Sequence, residues 1–283
     1  MNYRHGYHAG NFADVLKHVV LCRILVHLRQ KPTPFRVIDT HAGGGRYDLR
    51  GPEASRSGEW RTGIGRLWGR AFAANLGDLL GPYLEIVAAF NPGGTLATYP
   101  GSPLVARALL RPQDRLIACE IEPNAAAALE AVLHGDRRSK AVRVDGWTAL
   151  AAYVPPVERR GLVLIDPPFE QPDEFSRLAD GLCTAHRKWP TGIYLLWYPI
   201  KDRRDASALE RHVRECAVPR VLRVELALAS PSPDRPLAAT GLLIVNPPWT
   251  LPDELTLILD GLKEALAEGG EGRFRLDWLT TEN

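Results

Sequence analysis

The strongest constraint on the fold is a regular alternation of short apolar runs with longer helical stretches beyond residue 112. The strand-like runs lie at residues 116–121, 142–144, 162–165, 193–197, 221–228 and 242–245. Helical stretches at residues 124–133, 147–153, 173–186 and 206–216 separate the first five runs. Strands that alternate with helices in this way predict a mainly parallel sheet covered by helices on both faces.

The two ends of this pattern complete the predicted sheet. Residues 12–30 carry apolar side chains at helical spacing, with Asn11 placed to cap the helix, and residues 35–39 form a β-rich run. The last two runs are joined by a polar, Pro-rich loop with no room for a helix, which suits an antiparallel hairpin. The sequence therefore predicts an α/β fold with a Rossmann-like sheet of seven strands, the last one antiparallel, which is the architecture of class I methyltransferases.

Residues 46–112 differ in texture from the rest of the chain. They are rich in Arg, Gly, Ala and Trp, contain helical patches such as residues 79–89, and hold no convincing strand apart from a weak run at residues 96–99. We predict a small helical insertion after the first strand, within a single domain that spans residues 1–283. Its arginines could face RNA, and a solvated helical surface would explain them equally well.

Composition limits the class of protein without identifying a partner. A formal net charge of +2 neither proves nor excludes a nucleic-acid ligand, because a local patch matters more than the sum. The four cysteines are far apart and lack metal-binding spacing, so we expect buried reduced thiols and no metal site. The chain has no signal-like start and no run near the roughly 18 apolar residues of a membrane span. We expect a monomeric, cytoplasmic protein without membrane contact.

Three acidic residues stand at the ends of successive predicted strands. Asp39 ends the first strand and precedes a Gly-rich turn at Gly43. Glu120 ends the second and could accept hydrogen bonds from ribose hydroxyls, while Asp145, next to Gly146 after the third, could accept from an adenine amino group. Each acid alone is more often a surface loop residue. Three of them at successive strand ends predict a site for an adenosine-containing ligand.

The most specific signal is an apolar strand at residues 161–165 followed by Asp166, Pro167, Pro168 and Phe169. The amino nitrogen of adenine is a poor nucleophile because its lone pair is delocalised into the ring. The Asp166 carboxylate and the Pro167 carbonyl could both accept its hydrogens and turn the lone pair toward a methyl donor. The prolines keep the turn rigid without donating an N–H, and Phe169 offers a stacking face for the base. An ordinary turn after a buried strand is the simpler alternative.

A second segment has the same form. Residues 246–249, Asn-Pro-Pro-Trp, also follow an apolar run, and this pattern too occurs in enzymes that methylate amino groups. Ligands of doubly wound sheets bind where the strand order reverses, between the first and fourth strands. Asp166 ends the fourth predicted strand and Asn246 ends the last. We therefore predict that Asp166 lies in the site and that residues 246–249 are structural.

The N-terminal segment, residues 3–11, is aromatic and basic without apolar periodicity. It could be a frayed terminus or a surface that stacks on a base and contacts phosphate. Lys17 and His18 follow on the first predicted helix, and His18 taken alone is best explained as a core histidine.

Together these motifs resemble a known family, the bacterial large-subunit ribosomal RNA adenine-N6 methyltransferase J family. The resemblance extends over nearly the whole chain. Its most specific segments are residues 3–5, 8–18, 39–43, 99–103, 145–146 and 165–168.

The resemblance implies a cofactor, a substrate and a set of site residues. The cofactor would be S-adenosyl-L-methionine, and the substrate would be protein-free 23S ribosomal RNA, methylated at N6 of one adenosine. The residues expected to line the cofactor site are His18, His41, Gly43, Ser102, Glu120, Asp145 and Gly146. Asp166, Pro167 and Phe169 would form the catalytic turn, and Tyr3, His5 and Lys17 would hold the target adenosine. The family usually has Tyr in place of Phe169; stacking survives that change, whereas a hydroxyl hydrogen bond does not.

Two alternatives stay open at this point. The chain could methylate adenine in DNA, although it shows no helix-turn-helix or other evident DNA-reading domain. It could also be a non-catalytic RNA-binding factor of ribosome assembly, although an intact Asp166–Phe169 segment argues against that interpretation.

Overall fold

The computed structural model describes residues 4–229, 237–267 and 270–281. Ten strands occur within these ranges: β1 Arg36–Asp39, β2 Arg46–Asp48, β3 Thr98–Pro100, β4 Arg115–Cys119, β5 Ser139–Val142, β6 Gly161–Ile165, β7 Ile193–Pro199, β8 Val221–Ala227, β9 Ala239–Val245 and β10 Arg273–Thr280. Eleven α-helices accompany them in the same ranges: α1 Phe12–Arg29, α2 Pro52–Ser57, α3 Glu59–Thr62, α4 Ile64–Leu67, α5 Ala74–Ala89, α6 Ser102–Ala108, α7 Pro123–Leu133, α8 Gly146–Tyr153, α9 Glu174–Lys188, α10 Arg203–Glu215 and α11 Leu251–Leu266.

Eight strands form the central sheet, in the order β10-β8-β9-β7-β6-β1-β4-β5. β5, β4, β1, β6 and β7 run parallel to one another, whereas β9 pairs antiparallel with both β7 and β8. The chain order reverses between β1 and β6, and the carboxyl ends of parallel strands on either side of such a point form a crevice that binds ligands.

Helices cover both faces of the sheet, as the alternation of strands and helices along the sequence predicts. Apolar side chains of α1, α5, α6, α7 and α11 form one core cluster with one face of the strands, and those of α9 and α10 form a second cluster on the opposite face. The α/β class and the class I methyltransferase architecture are therefore confirmed, and so is the antiparallel β8–β9 hairpin.

Helix α1 passes through the centre of the first cluster. Its side chains are buried almost all the way round, including Leu16, Leu21 and Ile24, and the side chain of Asn11 caps it by accepting from the backbone N–H of Asp14 at 3.0 Å. A helix packed on all sides has a fixed position and rotation. This fixes the polar side chains at its N-terminal end relative to the sheet.

The predicted strand count of seven was wrong, because the sheet has eight strands. β10 pairs antiparallel with β8 at the sheet edge, and alternating charged residues such as Arg273, Arg275 and Asp277 conceal its apolar face in the sequence. Within residues 46–112, β2 precedes α2 and β3 follows α5 along the chain, and the two strands pair as a small antiparallel ribbon. The assignment of this segment as an insertion subdomain stays a prediction.

Expectations about the cysteines are corrected in part. Cys183 on α9 and Cys216 after α10 form a disulfide, whereas Cys22 and Cys119 are free and buried as expected. The sequence separation of 33 residues gave no hint of the pairing. Across residues 4–229, 237–267 and 270–281, no helix combines the length and apolarity that crossing a bilayer requires, and no group of three or more His, Cys, Asp or Glu side chains could hold a metal ion.

Candidate active site

Four carboxylates stand at the carboxyl ends of four neighbouring strands. In spatial order along β6, β1, β4 and β5 they are Asp166, Asp39, Glu120 and Asp145. Asp39 is the last residue of its strand, Asp166 and Glu120 directly follow theirs, and Asp145 caps α8 shortly after β5. Strands of one direction thus bring together acids that are as much as 127 positions apart (166 − 39).

A buried lysine joins Asp166 to helix α1. Lys17 is 3% exposed, and its Nζ donates to Asp14 Oδ1 at 2.8 Å and forms an ion pair with Asp166 Oδ2. Burial opposes the charge, but the two carboxylates more than offset it and raise the pKa of Lys17. His5 Nε2 lies 3.0 Å from Asp14 Oδ2. Lys17 is therefore a permanent cation that holds Asp166 at the end of β6.

The turn after β6 is tightly constrained. Pro167 is buried, and Phe169 has a left-handed backbone, with φ of 51°, whose N–H donates to the Glu174 carboxylate at 3.1 Å. The Phe169 ring lies 4.7 Å from the ring of Phe175 and 5.6 Å from that of Trp197, measured between centroids. The aromatic side chain next to Asp166 therefore has a defined position.

The second Pro-Pro segment lies elsewhere. Asn246 follows β9, and because β9 runs antiparallel to β7, its carboxyl end lies at the sheet edge opposite Asp166. The Asn246 side-chain amide donates to the carbonyls of Pro190 and Gly192 at 2.8 Å each. This geometry agrees with the structural role predicted for residues 246–249.

The glycine turn after β1 packs against Glu120. Gly43 has a φ of 60°, its N–H donates to Glu120 Oε2 at 2.9 Å, and a Cβ at this position would overlap the Tyr47 hydroxyl. The other oxygen of Glu120 accepts from the N–H of Glu122 at 2.8 Å. Both hydrogen bonds come from backbone, so the carboxylate is oriented without being neutralised by a cation.

Asp145 and Gly146 bring the start of α8 against the loop after β1. Asp145 caps the helix by accepting from the Thr148 N–H at 3.0 Å. A Cβ on Gly146 would overlap His41 Nε2 and the Thr40 carbonyl oxygen, so only glycine fits. Burial lowers the pKa of His41 to about 4, which keeps its ring neutral, and its Nδ1 lies 2.8 Å from Thr40 Oγ1.

His18, Ser102 and Asp39 form the buried polar part of the site. His18 Nδ1 lies 2.8 Å from the Tyr99 hydroxyl, and burial lowers the pKa of His18 to about 3. Ser102 donates to Asp39 Oδ2 at 2.6 Å, and burial raises the pKa of Asp39 to about 7. His18 Nε2 and Asp39 Oδ1 have no hydrogen-bond partner among the described residues.

Asp39 was one of the three strand-end acids that predict an adenosine site, but no ligand contact of its own was assigned to it. Buried polar atoms without partners are uncommon in folded proteins and point to a missing ligand or water. The signal that could have assigned one is the position of Asp39 at the end of β1, beside the switch point.

A cavity of about 540 Å³, called the substrate cleft here, opens in front of Asp166. Its wall combines charged, polar and aromatic side chains, among them His5, Asp14, Lys17, Asp166, Phe169, Trp197 and Lys201. The cleft thus brings His5 and Lys17 together with Asp166 and Phe169, whereas Pro167 is buried and does not line it. The roles of these residues stay predictions. Tyr3, the other residue predicted to hold the target, lies outside the described residues.

Comparison with known proteins then gives the family. A family model described as "Ribosomal RNA large subunit methyltransferase D, RlmJ" matches residues 32–280. The chain belongs to this family. The RlmJ family includes ribosomal RNA large subunit methyltransferase J of Escherichia coli, to which the chain is 39% identical over 100% of both chains, and that of Haemophilus influenzae, at 37% over 100% of both.

A solved structure extends the likeness to three dimensions. Protein LPL1258 from Legionella pneumophila superposes with a TM-score of 0.87 at 34% identity, covering 96% of this chain and 98% of that one. The framework that holds the β1–β6 crevice and the Asp166 turn therefore has a solved counterpart over nearly the whole chain.

Proposed function

We propose that this protein transfers a methyl group from S-adenosylmethionine to N6 of a specific adenosine in large-subunit ribosomal RNA. The observation that carries the proposal is Asp166, which follows the strand beside the switch point, is held by Lys17 and opens on the substrate cleft. Membership of the RlmJ family and the names of its relatives support ribosomal RNA as the acceptor.

Residues of the Asp166 turn prepare the amino group for reaction. The Asp166 carboxylate and the Pro167 carbonyl accept the two N6 hydrogens, which favours a tetrahedral nitrogen with its lone pair directed out of the ring plane. Phe169 supports the base by stacking, because its ring is fixed against Phe175 and Trp197. The nitrogen would take the methyl group that bound S-adenosylmethionine supplies, and the methylated amino group would release one proton to solvent water. Orientation and placed charge supply most of the rate enhancement.

The residues present fit S-adenosylmethionine, which when bound supplies an electrophilic methyl group on sulfur. Glu120, with both oxygens oriented by backbone N–H groups, suits the ribose hydroxyls, and Asp145 suits the adenine amino group. The unpartnered Asp39 Oδ1 and His18 Nε2 suit the charged amino and carboxylate groups of the methionine part. Close packing at Gly43, His41, Ser102 and Gly146 shapes the remaining wall.

On the substrate side the proposal changes the role of Lys17, which the resemblance assigned to holding the target adenosine. Lys17 is buried between two carboxylates, so we assign it the positioning of Asp166 instead of a contact to the RNA backbone. His5 lines the same cleft and packs against Tyr47 at 4.9 Å between ring centroids, which places it to contact the target nucleoside. Tyr3 is proposed for the same task on the resemblance alone. We further propose a monomeric, cytoplasmic enzyme that acts on protein-free ribosomal RNA.

The test uses labelled S-adenosylmethionine, purified protein and unmodified large-subunit ribosomal RNA, followed by nucleoside analysis of the product. Label in N6-methyladenosine is the expected result, and mapping the position then identifies the target. A matched DNA of the same sequence is the control for the DNA alternative. Cofactor binding without transfer to RNA would overturn the substrate, and absence of cofactor binding would favour a non-catalytic RNA-binding protein.

A further inference from the structure

A second cavity adjoins the substrate cleft and is not used by the proposed reaction. This side pocket, of about 510 Å³, opens between α9 and α10 and shares four wall residues with the cleft: Phe169, Glu170, Pro199 and Lys201. Asp166 and Lys17 line the cleft and do not line the side pocket. The two cavities are thus adjoining compartments that meet at one wall.

Two aromatic side chains meet at the junction, Phe169 in the shared wall and Phe175 beside it in the side pocket. Phe169 is held in a left-handed conformation by the hydrogen bond from its N–H to Glu174, a side chain that is itself 3% exposed. Phe175, half-buried on α9, packs its ring 4.7 Å from that of Phe169 and faces the side pocket. An aromatic wall that is already ordered can stack on a base at little entropic cost.

Charge within the side pocket favours a base over a phosphate. Glu170 and Asp205 line it and repel an anion, whereas the Asp205 oxygens can accept hydrogen bonds from the N–H groups of a base edge. The exposed Lys201 lines both cavities and lies close enough to influence His8 electrostatically. A cation at the junction suits the phosphate that links a nucleotide in one cavity to a nucleotide in the other.

We propose that the side pocket binds the base of the nucleotide next to the target adenosine, stacked on Phe175, with the linking phosphate at Lys201. This rests on the proposed function, because it takes the target adenosine to occupy the cleft. The ligand class is an unpaired nucleotide in RNA, since a stacked base must leave its helix. The pocket thereby reads the immediate sequence neighbour of the methylated residue.

The test combines an enzyme variant with a substrate variant. A short RNA containing the mapped target adenosine is made intact, with an abasic residue on its 5′ side, and with one on its 3′ side. Phe175→Leu keeps an apolar side chain of similar size and removes the aromatic face. We expect it to lower kcat/KM on intact RNA by roughly 5- to 100-fold. On one of the two abasic RNAs, the ratio of kcat/KM for wild type to kcat/KM for Phe175→Leu should approach one.

A matched control distinguishes stacking from general damage. Phe274→Leu makes the same change at a half-buried position on β10, at the far edge of the sheet, and should leave kcat/KM unchanged. An equal loss for Phe175→Leu on all three RNAs, or no loss on intact RNA, would overturn the proposal. Failure of wild type to methylate any RNA would instead refute the proposed function.

A second measurement tests the phosphate contact. For intact RNA, the logarithm of affinity falls as the logarithm of salt concentration rises. Lys201→Gln should make this slope less steep by about 0.7, the value for one phosphate of a single strand. Lys31 is an exposed lysine in the loop before β1, so it lies at the amino ends of the parallel strands, away from the cleft. Lys31→Gln should therefore leave the slope unchanged. Equal slopes for Lys201→Gln and wild type would contradict a phosphate at the junction.

Discussion

Lys17 is ion-paired with Asp166 although 149 residues of sequence separate them. The same Nζ donates to Asp14, so one buried cation joins helix α1 to the end of β6. Removing one partner of a buried ion pair leaves an uncompensated charge, which costs far more than an exposed pair is worth. The position of Asp166 therefore depends on the packing of a helix that lies outside the sheet.

Replacing Lys17 with Met should show this dependence. We expect the free energy of unfolding to fall by about 3–5 kcal/mol, because two buried carboxylates lose their cation, and kcat to fall much more than KM rises. Urea unfolding and methyl-transfer kinetics measure the two effects. The double variant Asp14→Asn/Lys17→Met should recover part of the stability without the activity. Full activity in either variant would remove Lys17 as a positioning residue.

Asp166→Asn keeps the shape of the turn and removes its negative charge. We expect kcat for methyl transfer to fall by about 10²- to 10⁴-fold, a range typical of a lost polar catalytic group, with the dissociation constant of S-adenosylmethionine nearly unchanged. The comparison variant is Asn246→Ala, in the second Pro-Pro segment. It loses two backbone contacts and some stability but should keep its kcat. A larger kinetic effect from Asn246→Ala would reverse the assignment of the two motifs.

The buried, neutral His18 predicts a specific dependence of stability on pH. Its pKa is lowered from 6.5 to about 3 by burial, so between these values the unfolded chain binds a proton that the folded protein does not. Stability should therefore decrease as the pH falls below 6.5, by up to about 1.4 kcal/mol per pH unit from this residue. Urea unfolding between about pH 5 and pH 6.5 measures the slope.

His18→Gln should remove the part of that slope that His18 contributes, since glutamine does not titrate, whereas the buried His41 still contributes its own part. The exposed His134 offers a matched replacement, and His134→Gln should leave the slope as in wild type. Identical slopes for His18→Gln and wild type would show that His18 is not held neutral by burial.

The disulfide between α9 and α10 predicts the number of free thiols. Alkylation of the denatured, unreduced protein should modify two of the four cysteines, and prior reduction should expose all four. Replacing both Cys183 and Cys216 with Ala should lower the free energy of unfolding by about 3–4 kcal/mol, the loop-entropy value for a closed loop of this length. Four modified thiols without reduction, detected by mass spectrometry, would show the bond to be absent.

The parts of the fold that could be predicted are those with a local signal. Apolar runs predicted the positions of β4, β6, β7 and β9, because a strand that is buried on both faces needs a nearly continuous apolar sequence. β10 escaped prediction because it is an edge strand, and edge strands carry charges such as Arg275 and Asp277 that hide the period. The Cys183–Cys216 bond depends on how α9 packs on α10, which spacing does not encode.

The site divides in the same way. Asp166 and Glu120 were predictable because each directly follows an apolar strand, and parallel strands carry their ends to one edge. The buried cation at Lys17 was not predictable as such, because it depends on a tertiary contact between α1 and β6. The specific role of Asp39 was not predictable for a related reason: only the folded structure shows that one of its oxygens is buried without a partner among the described residues.

The reversed direction of β9 has a consequence for how such sequences are searched. Two tetrapeptides, acid or amide followed by Pro-Pro and an aromatic residue, occur in one chain, and their letters alone rank them equally. Because the two preceding strands run in opposite directions, residues 166–169 lie at the crevice and residues 246–249 lie at the opposite end of the strands, where Trp249 is 80% exposed. In this chain, a search for this pattern separates the two matches only when it also considers the orientation of the strand that precedes each match.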